Sequence, residues 1–311
     1  MVPIQGSLFP DAFEVQDAAF AALEAFDVPE AVARVRQARA RDPGLVGLDR
    51  LEQGLVWLSE LVGGEPPSAE VLARVFLALP RACERGGLSP SAAGFLDQTL
   101  ARHALRRDRD RAGIFLDRER RVHFGALHLI CGHVAAARAL LDETVAAGTR
   151  ERADLWAYLG DANRLDERGD EANACYVRAL VLGAPDVDLF RSREPRLVEI
   201  YAQLAAAHPP DEARERLLVQ AWIEGVLAIH PENEWLERRR LDTWAADTPA
   251  PAAPARERLR AFARLLYLDQ TRRTVDLGLR ERMMSLDRAL FLQYMAACRA
   301  RERSATPRFS W

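Results

Sequence analysis

The sequence contains no lysine: all 43 basic residues are arginine, set against 46 acidic residues, for a formal net charge of −3. With abundant alanine, this reads as the coding bias of a GC-rich, bacterial-type genome, so arginine-dense stretches are partly background. Together with the slightly negative balance, that disfavours a phosphate-binding surface, and no nucleic-acid partner is expected. Cysteine is scarce. Cys83, Cys131, Cys175 and Cys298 lie far apart with no CxxC pair, which excludes a disulfide framework and predicts buried, reduced thiols in a cytoplasmic protein. Long apolar runs are missing too. The longest, Val75 to Leu79 or the interrupted run from Leu217 to Ile229, fall short of the roughly 20 residues that span a bilayer, and no membrane partner is expected. No basic residue precedes Arg34 and no apolar stretch follows the first methionine, so no secretory signal is expected. Walker, GxGxxG, GxSxG and HExxH patterns are absent, which removes the usual signatures of nucleotide, hydrolase and metalloprotease chemistry.

What is present is helical. Hydrophobic residues make up 49% and charged residues 29% of the chain, and apolar positions recur three and four apart with no convincing alternation of the kind strands show. The fold class is all-α. Asp27-Val28-Pro29, Asp42-Pro43-Gly44, Gly63-Gly64, Gly86-Gly87, Gly169-Asp170, Ala184-Pro185 and His208-Pro209-Pro210 punctuate the pattern into short helices joined tightly. Ser68, Ser89 and Ser285 are candidate N-caps. Thr248 to Ala255, TPAPAAPA, is too rich in proline to be helical. It divides the chain into a helical repeat domain over 1–247, a linker over 248–255, a C-terminal helical segment over 256–303 and a tail over 304–311.

An internal period of about 35 residues organises the helices. In residues 156–185, WAYLGDANRLDERGDEANACYVRALVLGAP, the positions Trp156, Leu159, Gly160, Ala172, Tyr176 and Ala179 carry a Trp, a Leu-Gly pair, then Ala, an aromatic and Ala. This unit resembles a tetratricopeptide repeat (TPR), departing from it at Asn163, where the family prefers Tyr, and at Gly169 and Pro185, which fall two and one residues late. Thirty-five residues earlier Phe124-Gly125, Ala137 and Leu141 take the corresponding positions, and Ala31, Val35, Ala38 and Pro43 repeat the second-helix spacing near the start. The resemblance covers residues 11–44 and 118–186. It implies a right-handed α-solenoid of antiparallel helix hairpins, about 15 helices in all, with a C-terminal helical cap. The role it implies is that of a protein-interaction scaffold or adaptor holding a partner segment in a concave surface, or alternatively a structural subunit or assembly factor of a larger complex.

Asp154, Tyr158 and Asp161, spaced four and three apart, form one stripe on a helix whose other side carries Trp156 and Leu159. The resemblance places this stripe, with Arg164, on the groove wall, so Asp154, Tyr158, Asp161 and Arg164 are the candidate partner-binding residues and a basic protein or peptide is the expected occupant. As an acid–base pair the two aspartates fail on geometry, since seven residues of helix separate them by about 10 Å and no nucleophile accompanies them; no enzymatic activity is expected. His123, His128, Cys131 and His133 crowd one segment, but on a continuous helix five-residue steps turn the histidines away from one another, so neither a metal nor another cofactor is expected. Arg102 to Arg121 holds eight arginines and four acids, whose interspersion blunts the field. The end of the chain, Arg308-Phe309-Ser310-Trp311, is a candidate linear motif or a frayed terminus.

Overall fold

The computed structural model describes residues 10–44, 47–107, 114–119, 121–147, 151–230, 243–244, 246–250, 252–272 and 274–305. Among these residues the chain forms fourteen α-helices and no strand. It divides into two compact units, with the boundary after Leu140.

The first unit contains α1 (Pro10–Glu24), α2 (Val28–Arg41), α3 (Leu48–Val62), α4 (Ala69–Glu84), α5 (Pro90–Arg107) and α6 (Phe124–Ile130). The helix α7 (Val134–Ala146) carries the boundary. Local chemistry sets the starts of these helices. The Asp27 side chain accepts from the Glu30 amide, at 3.1 Å, where Pro29 cannot extend α1. Ser68 accepts from Val71 N–H (3.1 Å) and Ser89 from Ala92 N–H (3.3 Å), satisfying donors that a helix start leaves orphaned. Gly63 and Gly64, at φ +60° and +79°, turn the chain after α3, in a region that L side chains rarely enter. Small residues then let α1 and α2 pack closely: Ala31, Val35 and Ala38, the positions singled out by the repeat spacing, are fully buried.

The second unit opens with the hairpin of α8 (Ala153–Leu165) and α9 (Gly169–Gly183), joined by three residues. Trp156, Leu159, Ala172 and Tyr176 are all buried, and burial of each large side chain contributes about 1.5–3 kcal/mol. Asn163, which departs from the repeat pattern, is buried and donates to Cys175 Sγ at 3.7 Å. The turn glycine that falls two residues late has a local explanation: Glu167 itself adopts φ +60°, which frees Gly169 to begin α9. A single 3₁₀ turn, Ala184–Asp186, leads into the non-helical segment 187–194. Beyond it come α10 (Pro195–Ala207), α11 (Pro210–Ile223), α12 (Ala255–Thr271), α13 (Leu277–Leu286) and α14 (Arg288–Ala305).

Two expectations, the Ser285 cap and the burial of every cysteine, are corrected here. The described residues of Thr248 to Pro254 are not helical, as anticipated, and the helices after them fall in the same compact unit as α8 to α11. Helix α12 packs on α11, and the buried Glu215 on α11 takes the Arg260 guanidinium of α12, Nε to Oε1 at 3.0 Å. Tyr294 on α14 is fully buried, donates to Asp269, accepts from Gln270 Nε2 (2.7 Å) and stacks 5.0 Å from the Trp222 ring. Ser285 does not cap: it lies inside α13 and donates back to the Arg282 carbonyl (2.8 Å), and Asp287 caps α14 instead, accepting from Leu290 N–H at 3.0 Å. None of the four cysteines is in a disulfide, but only Cys175 and Cys298 are buried, Cys83 and Cys131 being half-buried. The tail Arg308 to Trp311 lies outside the described residues.

Closeness within the α8–α9 hairpin is set at Gly160, where an added Cβ would stand 2.8 Å from Tyr176 Cε1 and 2.9 Å from Cδ1. The ring cannot swing aside without breaking its hydroxyl bond to Asp161. Gly160→Ala is therefore expected to lower stability by about 1–3 kcal/mol through overpacking, although alanine is the better helix former. Gly169→Ala, where an added Cβ meets nothing within 4 Å, is expected to be neutral or stabilising by up to about 1 kcal/mol. Urea denaturation of the two variants checks both; equal midpoints would refute the close approach.

Candidate functional site

Of the four residues singled out in the sequence, Tyr158, Asp161 and Arg164 bond to the chain's own segment 187–194, and Asp154 does not. Tyr158 Oη donates to Asp188 Oδ2 at 3.1 Å. Asp188 in turn binds Arg191 twice, through its backbone N–H (3.3 Å to Oδ1) and through its guanidinium. Arg164 pairs with Glu194 (3.2 Å), while Asp154 pairs with its neighbour Arg152.

Asp161 anchors this cover. It is 2% exposed, buried where the resemblance placed it on a groove wall. Its Oδ1 accepts from Tyr176 Oη on α9 at 2.7 Å, from Arg193 N–H at 2.6 Å and, more weakly, from Ser192 Oγ at 3.4 Å. Helical spacing placed Asp161 on the side away from Leu159; it could not show that residues 187–194, beyond α9, return to close that side. The sequence signal for the cover is the aperiodic run Asp186-Val187-Asp188 and Arg191-Ser192-Arg193-Glu194, polar residues whose partners lie on a helix about 30 positions earlier.

Burial dominates the electrostatics of this knot. It pushes the Asp161 carboxyl up to about 7, against the opposing pull of the Arg193 amide and the Tyr176 hydroxyl, with Asp188 adding to the rise and the Arg193 charge opposing it. Burial, reinforced by Asp188, likewise holds the Tyr158 phenol well above its ordinary value. The Cys175 thiol is pushed up to about 12 by burial, which makes it a poor nucleophile.

The other sequence candidates fall as follows. His123 is 1% exposed, and its Nδ1 accepts from Gly125 N–H at 2.9 Å as the cap of α6. His128 and His133, expected to diverge, meet: their Nδ1 atoms are 3.2 Å apart. The assumption of a continuous helix fails because α6 stops at Ile130 and Gly132, at φ +78°, turns the chain back, with His133 N–H donating to the His128 carbonyl at 2.8 Å. Burial and the neighbouring His133 lower the His128 pKa. No group of three or more His, Cys, Asp or Glu side chains arranged to hold a metal occurs among the described residues. In the Arg102 to Arg121 stretch, residues 108–113 and 120 lie outside the described set. Arg106 pairs with Glu24 (3.3 Å), Arg118 with Glu70 (3.8 Å) and Arg121 with Asp117 (2.9 Å), so their charge is locally compensated. No described helix is long and apolar enough to cross a membrane.

Sequence reading missed a cleft of about 430 Å³ within the second unit, between α10, α11 and the start of α14. Buried Ile200 and Leu290 form its floor, Gln203, Gln220 and Gln293 stand around it, and the ion pair of Arg216 with Asp287 (3.0 Å) closes one wall. The available signal was the apolar stripe Leu197, Ile200, Leu204 and Ala207 at three- and four-residue spacing on one face of α10.

No family model matches the chain, and no curated protein or solved structure matches it either.

Asp161 makes folding stability depend on pH. A carboxyl whose folded pKa of about 7 exceeds the unfolded value of 3.8 binds more protons folded than unfolded between those values, so stability is highest below the window and falls as pH rises through it. The loss attributable to this group is on the order of a few kcal/mol. Asp161→Asn keeps an acceptor oxygen for the three donors and removes the titration. Its stability is expected to be flatter than wild type between pH 4 and about 7; parallel curves in urea titrations at several pH values would contradict the assignment.

Proposed function

We propose that this chain is a protein-interaction scaffold that seats a segment of a partner protein in the cleft between α10, α11 and α14. That cleft carries the reading. Its volume of about 430 Å³ falls at the small end of the range for binding pockets, suited to about one or two large apolar side chains, and Ile200 and Leu290 offer them an apolar floor. The amides of Gln203, Gln220 and Gln293 can each donate and accept, as a partner's backbone requires.

The same reading takes the hairpins as TPR-like units of a right-handed α-solenoid, supported by the joint burial of Trp156, Leu159, Ala172 and Tyr176 and by the fit of Gly160 to the Tyr176 ring. Helical repeat arrays expose surfaces whose residues can vary without disturbing the core, which favours binding proteins over turning over small substrates. A cytoplasmic setting accords with four cysteines outside any disulfide. The basic partner expected from Asp154 and Asp161 loses its basis, because the first is paired with Arg152 and the second is buried.

A second reading, a subunit packed inside a larger complex, is favoured by Val275, Leu277 and Leu292, which are 63%, 71% and 58% exposed in the C-terminal helices and the turn before them.

Site-specific photo-cross-linking in the native host separates the two. A photoreactive residue at Gln203 is expected to capture one discrete partner, and the same residue at Arg164 is not. Capture from Leu292 alone would favour the subunit reading, and no capture from Gln203 would remove the cleft as the binding site.

A further inference from the structure

The contact between His128 and His133 has a geometry that a hydrogen bond does not require. With metal–nitrogen bonds of about 2.0–2.1 Å, two imidazole nitrogens on one ion stand about 3.0 Å apart at a right angle and about 3.4 Å apart at the tetrahedral angle. The observed Nδ1 separation is 3.2 Å, between these limits, and the ring centroids are 5.5 Å apart with the planes inclined at 52°. An ion could therefore sit between the two nitrogens with an angle of about 100°, and the backbone would not have to move.

The backbone is also fixed in advance. His128 lies in the last turn of α6, and His133 immediately precedes α7. Between them Cys131 N–H donates to Leu127 O (3.1 Å), Gly132 N–H to Leu129 O (3.0 Å) and His133 N–H to His128 O (2.8 Å), so the reversal is closed by three bonds around Gly132. The side chains are accessible, His128 half-buried and His133 exposed. His123 takes no part, being buried and engaged with the Gly125 amide.

We propose that His128 and His133 form an open two-imidazole chelate for a divalent transition ion, Cu²⁺, Ni²⁺ or Zn²⁺. Neutral imidazole suits these ions, and affinity should rank with Cu²⁺ first. No third His, Cys, Asp or Glu completes a cluster among the described residues, so water fills the remaining positions and the ion exchanges readily, unlike the closed four-ligand sites that hold structural zinc. Without metal, one Nδ1–H donates to the other Nδ1. With metal, that proton moves to Nε2 of the same ring, both Nδ1 lone pairs face the ion, and two neutral ligands bind with no net proton released. The site lies in the first unit and is independent of the cleft of the second.

The test uses tag-free full-length protein titrated calorimetrically with Cu²⁺, Ni²⁺ and Zn²⁺ separately. One ion per chain is expected, with affinity weakened roughly tenfold or more in both His128→Ala and His133→Ala, as loss of one of two chelating ligands requires. His230→Ala should bind as wild type does, and the Cu²⁺ form should show electron-spin couplings to two imidazole nitrogens. Melting curves confirm that the variants are folded; His133, being exposed, carries the test if His128→Ala does not fold. Equal binding in wild type and His133→Ala, or loss on Cys131→Ser with the histidines intact, would overturn the proposal.

Discussion

The Asp161 carboxylate holds three pieces of the second unit at one oxygen. The Tyr176 hydroxyl ties it to α9, the Arg193 amide ties it to the segment beyond the 3₁₀ turn, and Ser192 adds a weaker bond. Removing this acceptor would leave a buried phenol and a backbone N–H unsatisfied, each a loss of about 1–3 kcal/mol. The close approach at Gly160 depends on the same residue, because the ring that abuts the glycine is the ring whose hydroxyl Asp161 captures. Packing and polar satisfaction therefore stand or fall together here. A raised carboxyl pKa often marks a catalytic group, but here the acceptor oxygen is occupied by internal donors, and burial accounts for the shift.

This knot also changes where binding is to be sought. Segment 187–194 lies over the stripe of Tyr158, Asp161 and Arg164, matching it residue for residue through Asp188, the Arg193 amide and Glu194. A partner competing for that stripe would have to replace all three contacts. The cleft bounded by α10, α11 and α14 requires no such displacement, since Gln203 and Gln293 beside it are already exposed. That difference in cost is the reason the proposed scaffold reading is directed to the cleft.

Much of the fold was legible in the sequence because it rests on local rules. Three- and four-residue periodicity marked the helices, Asp27-Val28-Pro29 marked a break, Ser68 and Ser89-Pro90 marked starts that the structure caps as expected, and the Trp156, Gly160, Ala172 and Tyr176 spacing marked a hairpin whose members are buried. What was not legible depends on where the chain goes after a helix ends. Asp161 was placed on the right face, but its cover comes from residues about 30 positions later. His128 and His133 were set apart by assuming a helix that Gly132 breaks, and one turn with positive φ replaces divergence by contact. The proline-rich stretch after Thr248 was rightly read as non-helical, yet its composition says nothing of the buried bonds Glu215 to Arg260 and Tyr294 to Asp269, which join the C-terminal helices to one another and to the rest of the second unit.

The claim that the chain covers its own polar stripe is tested most directly by amide hydrogen exchange, peptide by peptide, in wild type and Asp161→Ala. The account expects slow exchange over 188–194 in wild type, with the Arg193 amide protected by its bond to Asp161. In the variant it expects exchange there to be faster by roughly tenfold or more, while protection over α12 (Ala255–Thr271) is kept. Fast exchange over 188–194 in the wild-type protein would contradict it, leaving Tyr158 and Asp161, with Arg164, as a stripe open to a partner.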